Sequence, residues 1–383
     1  MDRQQATGGF LRFFADLPDP RAANVVHRLS DVLVIAVCAV ICGAEGWADV
    51  ETFGNAKLPW LRTFLDLGHG IPSHDTFGRV FAALDPDAFE RRFQQWIASL
   101  RGGSAGGTRH LAIDGKGIRR SFDHAWDASG MAHLVSAFAA REGLSFAQVA
   151  TTGKGQELEA MRRLIDLLGL DRHTVVTIDA AGCQRDVARR IVERDADYVL
   201  AVKANQPALH AAVRAVLDEA ILERFAGLRH GYAQWVDGDH GRVETRRVWV
   251  SDQAARHLGA AGGDWPGLGS LVVVESVREV PGKPTSTQRR YFVSSLDDND
   301  AERMGQLVRG HWSVENQLHW QLDVSFAEDQ RRVRQDHAAE NFSRLCRIAL
   351  NLLKQDKTAK VGVKGRRLKA GWDEPYLIRL LTG

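Results

Sequence analysis

Cysteine is scarce in this chain of 383 residues, and the four that occur, Cys38, Cys42, Cys183 and Cys346, form no CxxC pair. Their spacing excludes a zinc knuckle and a disulfide framework. Cys38 and Cys42 belong to one apolar segment, so we expect them to be core residues of a helix. Unpaired cysteines indicate a reducing compartment, and the cytoplasm is the expected location.

A long apolar run is also lacking. The longest, over residues 32–42, is too short to cross a bilayer, and it begins well inside the chain without the arrangement of a signal peptide. We therefore expect no membrane partner. Internal repeats and low-complexity tracts are absent from the sequence.

A strong excess of charge is missing as well, since the formal net charge is only +2. A surface that binds nucleic acid therefore has to be a local patch. Hydrophobic residues make up 44% and charged residues 26%, which is ordinary for a globular protein, and the length suggests two or three domains.

What the sequence does contain is two short apolar runs that each end in an aspartate, Asp114 in HLAIDGKG and Asp179 in TVVTIDAAG. Each run is rich in β-branched residues and stops at glycine, which predicts a buried strand. A carboxylate at the end of a buried strand is costly unless it is paired or holds a cation. The pair therefore indicates a metal site, whereas the alternative is that each aspartate caps a turn.

The amino-terminal residues 1–105 predict a helical domain. Ser30 is the expected N-cap of a helix that ends at Gly43, and Ser73 opens a later helix after a Gly-Ile-Pro turn. Two helices around such a turn are compatible with a DNA-contacting helix-turn-helix, although an ordinary helix pair is the alternative. The glycine-rich residues 101–108 predict a linker.

The order of the following elements predicts the fold class. Residues 106–206 predict three meandering strands, then helix, strand, helix and strand. This is the order of an α/β, ribonuclease-H-like fold, a mixed sheet flanked by helices in which the two aspartate strands are neighbours. Residues 207–290 predict a β-rich insertion, residues 291–352 the second part of the core, and residues 353–383 a basic carboxy-terminal tail.

A third carboxylate lies far downstream. Polar residues recur every four positions, at His311, Glu315, His319 and Asp323. This spacing places them along one broad face of a helix. The two flanking tryptophans and the apolar neighbours favour a largely buried helix over an exposed, salt-bridged one. A zinc hydrolase built on two of these histidines is a further reading, but the spacing is not HExxH.

Basic residues are frequent after this helix. Those singled out for contact with DNA are Arg331, Arg332 and Arg334, and the series continues through Arg344, Arg347 and Lys354 to Lys369. Such a series is usually a solvated face, but beside clustered carboxylates it also suits a DNA backbone. Lys203, His240 and Arg242 are further candidates, and a turn-capping role is the alternative for His240.

Taken together, five motifs resemble an insertion-sequence DDE transposase, in the branch that includes the H-repeat-associated proteins. The motifs are IDGK at Asp114, TIDAAGCQ at Asp179, DYVLAVKANQ over 197–206, HGRVE over 240–244, and RGHWSVENQLHWQLDVSFAED around Glu315. The amino-terminal block resembles the small domain that precedes the catalytic core in that branch. The resemblance covers residues 8–356.

This resemblance implies a ribonuclease-H-like core with Asp114, Asp179 and Glu315 as catalytic residues. It implies two Mg²⁺ ions, replaceable by Mn²⁺, held by the same three carboxylates. It also implies double-stranded DNA as partner, both as element ends and as target. A homodimer that bridges two ends, in a bacterial cytoplasm and on the nucleoid, is the family expectation.

The chain departs from the Tyr, Arg and Lys that many related transposases place around the glutamate. Those positions hold Val308, His311 and Leu322. Lys116, Arg309 and His311 are therefore candidates for holding the terminal phosphate.

The residues near Glu315 in the sequence have two possible roles. His319 and Asp323 are candidates for orienting Glu315. Asp323, Glu328 and Asp329 are also open alternatives to it as third carboxylate.

Three functions are compatible with these residues. The first is a transposase that cuts element ends and transfers the strand. The second is a metal-dependent nuclease, or a host-adapted descendant, without strand transfer, and the third is a non-catalytic DNA-binding regulator. Intact acidic motifs favour the enzymes. Trp265 is a candidate for stacking on an unpaired base, with anchoring of its loop as the alternative.

Overall fold

The computed structural model describes residues 9–22, 25–100, 108–119, 132–152, 155–239 and 241–382. Its amino-terminal part is helical, as predicted. The helices are α1 Leu29–Cys42, α2 Trp47–Ala56, α3 Leu58–Leu61, α4 His74–Ala83 and α5 Pro86–Leu100. Of the predicted linker, only Thr108 lies within the described residues.

The predicted helix ends agree in part with the structure. Helix α1 stops at Gly43, whose φ of 122° is a conformation that favours glycine. It begins two residues earlier than predicted, so Ser30 lies inside the helix and Arg28 takes the cap position. Ser73 caps α4 as predicted, because its hydroxyl accepts a hydrogen bond from the backbone N–H of Thr76.

Helix α1 is almost entirely buried, including Cys38, and all four cysteines are free. Among the described helices, none is long and apolar enough to span a membrane by itself. Helices α1 and α2 pass such a test only as a pair, bent by 96°.

The centre of the molecule is one nine-stranded sheet. Its strands are β1 Arg109–Gly117, β2 Ala132–Ala139, β3 Leu144–Thr152, β4 Thr174–Ile178, β5 Asp197–Val202, β6 Gly231–Asp239, β7 Arg242–Ser251, β8 Ser270–Glu279 and β9 Ser286–Ser294. The order is β3-β2-β1-β4-β5-β9-β8-β7-β6. Strands β1, β4 and β5 are parallel, and β2 and β3 are antiparallel. This order confirms the predicted ribonuclease-H-like core.

The β-rich insertion extends the same sheet. Strand β9 pairs antiparallel with β5, and β8, β7 and β6 follow outward. Strand β6 was not predicted, because glycines and aspartates interrupt the apolar alternation of GYAQWVDGD. The local sequence does not favour a strand here, but backbone hydrogen bonds with β7 along its whole length stabilise β6.

Helices cover both faces of the sheet. They are α6 Glu157–Leu167, α7 Arg185–Val192, α8 Pro207–Leu222, α9 Ala301–His311, α10 Trp320–Phe326 and α11 Ala338–Gln355. Met304 and Val308 of helix α9 pack with apolar side chains of the sheet in a small cluster that is separate from the main core. The opposite face belongs to the main core, which also includes α1 and α11.

The predicted basic tail is folded. Residues beyond α11 form α12 Val363–Trp372 and α13 Glu374–Thr382. Arg367 is buried against α1, where its guanidinium donates to the Val40 carbonyl at 2.8 Å. Arg344 and Arg347 on α11 are fully buried and pair with Glu90 and Glu328. These arginines hold helices together and are not exposed to a DNA backbone.

Candidate active site

Asp114 and Asp179 lie side by side at one edge of the sheet. The parallel strands β1 and β4 pair Ile113 with Ile178, so the aspartates that follow are level and share a face. Asp114 accepts from the backbone N–H of Gly115 at 2.9 Å. Asp179 accepts from that of Ala181 at 3.0 Å and so also caps a turn.

Glu315 lines the same cavity as the two aspartates, although it comes from a distant part of the chain. The cavity has a volume of about 520 Å³. The pKa of Asp114 is raised to about 7, because its carboxyl group is buried and because the carboxylates repel one another. Burial is the largest cause, followed by the negative charge of Asp179, with smaller contributions from Glu157 and Glu315.

Glu157 is a fourth acid in this group, which sequence reasoning did not single out. It is the first residue of α6, and a Cβ placed on Gly115 would lie 1.9 Å from its Oε1 atom. Burial, and then the charge of Asp179, raise its pKa. In the sequence Glu157 is an ordinary acid in the first turn of an amphipathic helix. Only its position just after the third strand offered a signal.

The helical segment around Glu315 is not a regular α-helix. A π-turn spans Glu315–His319, between α9 and α10. Val314, Leu318 and Leu322 are buried, as predicted.

The prediction of a largely buried helix, which relied in part on the two flanking tryptophans, is wrong on their side of the helix, since Trp312 is 46% and Trp320 54% exposed. They stand two positions from the buried Val314 and Leu318, which on a helix is about 200° around the axis. The indoles therefore remain about half exposed, although Trp312 also borders the cavity of the carboxylates.

His311, a candidate for holding the terminal phosphate, contacts Thr177 and lies near Asp179. Its Nδ1 atom is 3.1 Å from the Thr177 hydroxyl, which also contacts His110 Nε2 at 2.8 Å. Burial lowers the pKa of His311, while the charge of Asp179 opposes this shift. The three side chains link α9 to β1 and β4, and His311 also lines the cavity.

Lys116 is engaged by carboxylates and is not free to hold a phosphate. Its Nζ atom contacts Asp323, lies 3.2 Å from Glu328 and lies 3.8 Å from Asp329. These three acids were the alternatives to Glu315, and none of them lines the cavity that Glu315 shares with the aspartates. Asp323 thus faces Lys116 and does not orient Glu315.

Glu328 is the buried centre of that group. Burial opposes its ionisation, but the charges of Arg347 and Lys116 hold its pKa down at about 2. It also accepts from the Ser343 hydroxyl at 2.5 Å. The group fastens the segment after α10 to β1 and α11.

His319 faces Asp114, not Glu315. Its Nδ1 atom lies 3.6 Å from Asp114 Oδ2. Burial, helped by the nearby positive charges of Arg347 and Lys116, lowers the pKa of His319 to about 3, so the imidazole is neutral. Its Nε2 atom is buried without a hydrogen-bond partner among the described residues.

The residues predicted to bind DNA differ in their exposure. Arg331 is buried, donates to the Phe326 carbonyl at 2.8 Å and lies over the Phe342 ring, so it cannot reach DNA. Its planar guanidinium satisfies carbonyls in the core instead. Arg332 is exposed and Arg334 is half-buried.

Of the other basic candidates, one lines the cavity. Lys203 is exposed and lines it. Arg309 is exposed but pairs with Asp237 at 3.1 Å. Arg242 is half-buried at the start of β7, and His240 lies outside the described residues.

Trp265 is buried in the core, which favours the loop-anchoring alternative.

The acids suit a hard cation by their chemistry. Within the described ranges, no three His, Cys, Asp or Glu side chains stand close enough together to hold a metal ion. All four acids nevertheless offer the carboxylate oxygens that Mg²⁺ prefers, and their mutual repulsion at Asp114 is the kind that a cation relieves.

The family models and similar proteins agree on one family. A model described as "Transposase DDE domain" matches residues 105–352, and one described as "DDE_Tnp_1-associated" matches residues 11–97. "Putative transposase YncI" of Escherichia coli O157:H7 is 38% identical over 97% of this chain and 94% of its own length. "H repeat-associated putative transposase YhhI" of Escherichia coli K12 is 36% identical over 96% of both.

Among solved structures, a cryo-EM structure of a piggyBac transposase synaptic complex with hairpin DNA is similar, with a TM-score of 0.44 and 11% identity over 97% of this chain and 79% of the other. By the family models and the near full-length relatives, this chain belongs to the DDE-domain transposases.

Proposed function

We propose that this protein is an active transposase that cuts DNA at the ends of its element and joins the cut strand to target DNA. Asp114, Asp179 and Glu315 are the proposed catalytic residues. The observation that carries the proposal is that these acids, from three separate elements, line one cavity, where the charges of Asp179 and Glu315 add to the effect of burial in raising the pKa of Asp114.

The proposed chemistry is phosphoryl transfer without a covalent protein intermediate. Water attacks the phosphorus at the element end, and the 3′-oxygen leaves as a 3′-hydroxyl. That hydroxyl then attacks the phosphorus of a target phosphodiester, whose own 3′-oxygen leaves with the proton. The DDE transposase family generally uses divalent metal ions. Two Mg²⁺ ions, or Mn²⁺ in their place, held by the three carboxylates would stabilise the attacking and leaving oxygens.

The surrounding residues have supporting roles in this proposal. Neutral His319 limits the positions of Asp114, and the link from His311 to Thr177 holds α9 against β4. Ionisation of Asp114, which its acidic neighbours oppose, is required before it can serve as a ligand.

The proposed partner is double-stranded DNA, bound by a homodimer that brings two ends together. Exposed Lys203 at the cavity and Arg332 beyond α10 are the proposed backbone contacts. The amino-terminal helices are proposed as a separate DNA-contacting unit, with α4 as its second helix. His74 at the start of α4 lies 2.6 Å from Glu51 of α2, which ties the two helices together.

The test is cleavage of a labelled duplex taken from the DNA that flanks the gene, with Mg²⁺ present. Asp114→Asn, Asp179→Asn and Glu315→Gln are each expected to abolish cutting while leaving DNA binding intact. Glu159→Gln removes an exposed acid of α6 and serves as the matched control. Normal cutting by Glu315→Gln contradicts the triad.

Strand transfer is tested separately with a pre-cut end and a supercoiled target plasmid. Joined products support the transposase. Cutting without joining supports the nuclease alternative, and binding without cutting supports the regulator.

A further inference from the structure

Arg290 on β9 is an unpaired arginine among paired ones. Next to it, Arg289 is 2.8 Å from Glu275 and 2.9 Å from Asp218. On β7, Arg247 is 2.9 Å from the same Glu275. Arg290 is half-buried, yet it has no ion pair or hydrogen bond with any described residue. Its guanidinium carbon lies 5.8 Å from the centre of the Trp312 ring.

The sheet register places Arg290 at the same edge as the catalytic carboxylates. Strands β5 and β9 pair Val202 with Tyr291, so Lys203 and Arg290 come next, just beyond the carboxyl end of β5. Because side chains alternate along a strand, Arg290 shares a face with Phe292 two residues away. Both side chains line the cavity of Asp114, Asp179 and Glu315.

Arg290 also borders a second cavity, of about 860 Å³, between the outer strands and α9. Trp312 and Gln288 border both cavities, so the two adjoin. The path from the carboxylates into the second cavity therefore passes Arg290.

The second cavity carries more positive than negative side chains. Its floor includes Arg246 and Arg278, and Glu244 is the one acid among its described lining residues. Glu244 is 2.8 Å from Arg246 and is thereby neutralised. Arg278 is exposed and has no ion pair with a described residue. Such a floor fits an extended anion better than a single small one.

A half-buried guanidinium without a counter-charge is unfavourable in the free protein. Burial lowers the pKa of Arg290, and the positive charge of Arg246 lowers it further, while Glu244 opposes the shift. A bound anion would remove this penalty. Phosphate oxygens match the donors of a guanidinium in pairs, which makes a phosphodiester the natural occupant.

We propose that Arg290 binds a phosphodiester group of the DNA strand that runs from the carboxylate cavity into the second cavity. The inference rests on the proposed function in one respect, that DNA is the substrate. It answers a question raised by the sequence, in which the basic residues around the usual glutamate signature are replaced. Lys116 is held by acids and Arg309 by Asp237, so the guanidinium free to bind comes from the insertion.

The experiment measures equilibrium binding of the labelled flanking-DNA duplex over a range of salt concentrations, without divalent cations so that nothing is cut. Arg290→Gln is expected to bind about tenfold more weakly. The slope of log affinity against log salt concentration should be smaller in magnitude by about one, the loss of one phosphate contact. Arg290→Lys keeps the charge and is expected to keep the salt dependence while losing part of the affinity. Circular dichroism melting confirms that each variant folds.

The matched control is Arg247→Gln, which removes the same charge from the other face of the sheet and leaves Glu275 paired with Arg289. It is expected to bind like wild type. Equal affinity and salt dependence for Arg290→Gln and wild type overturn the inference, and so does an equal loss in the control.

Cleavage by the wild type is measured in parallel with Mg²⁺. If wild type never cuts but Arg290→Gln alone binds weakly, the proposed function fails and the Arg290 site stands. If wild type cuts and Arg290→Gln binds as well as wild type, the proposed function stands and the Arg290 site fails. Absence of DNA binding by wild type overturns both.

Discussion

His319 Nδ1 lies 3.6 Å from the Oδ2 atom of Asp114. The contact joins β1 to the π-turn that begins at Glu315, so it links two of the three elements that carry the proposed catalytic acids. The imidazole is neutral because burial lowers its pKa to about 3. It therefore constrains Asp114 without cancelling the charge that a cation requires.

Substitution of His319 tests this positioning role. His319→Ala is expected to reduce cleavage about 10- to 100-fold and to raise the Mg²⁺ concentration needed for half-maximal rate, because Asp114 is less constrained. His319→Asn keeps a polar atom near the Nδ1 position and is expected to recover part of the rate. The measurement is cleavage rate against Mg²⁺ concentration, with duplex binding as a control. An unchanged Mg²⁺ requirement for His319→Ala would argue against positioning.

Glu157 should influence the pH dependence of cleavage through Asp114. Its negative charge contributes to the raised pKa of Asp114, so Glu157→Gln is expected to lower that pKa. The acid limb of the cleavage profile should then move to lower pH. Rates are measured across the pH range with Glu159→Gln as the exposed control. A shift to higher pH, or the same shift in the control, contradicts the expectation.

Asp114 should make the metal-free protein less stable as the pH rises. Its folded pKa of about 7 lies above its ordinary value of 3.8. The folded state then binds the proton more tightly than the unfolded state, so this stabilisation is present at low pH and is lost as the pH rises from about 4 to about 7.

Asp114→Asn removes the charge, and it is expected to be more stable than wild type above about pH 8 by on the order of 2 kcal/mol, with little difference near pH 4. Urea unfolding in EDTA at both pH values measures the free energies. Asp264→Asn, which changes an exposed carboxylate, is the control. If Asp114→Asn and wild type differ in free energy of unfolding by the same amount at both pH values, the predicted link between Asp114 ionisation and stability is wrong.

Arg331 and Arg332 are adjacent in the sequence and should behave oppositely. Arg331→Gln is expected to lower the free energy of unfolding by about 2 to 4 kcal/mol, because the buried carbonyl of Phe326 and the part-buried carbonyl of Glu45 lose their donor. Arg332→Gln is expected to leave stability unchanged and to weaken DNA binding. Thermal unfolding and duplex binding are measured on both. Normal stability of Arg331→Gln would contradict its structural role.

The sequence by itself determined most of the core. The strand that carries Asp114, the strand that ends just before Asp179, the meander and the flanking helices follow from local apolar periodicity, which a chain has wherever it later packs. The order of these elements predicted that β1 and β4 are neighbours, because parallel strands in this fold are joined by the intervening helix. The carboxylate pair was therefore predictable from its two strands.

Tertiary structure alone decided the partners of charged side chains. Arg331 and Arg344 lie in a basic segment of the sequence, but acids, carbonyls and rings from distant elements bury them. Lys116 and Arg290 are both basic residues near the cavity, yet three acids surround Lys116, whereas Arg290 has no ion pair with a described residue. Local pattern fixes which face of an element is apolar, whereas a charge is free or neutralised according to side chains that only folding brings near.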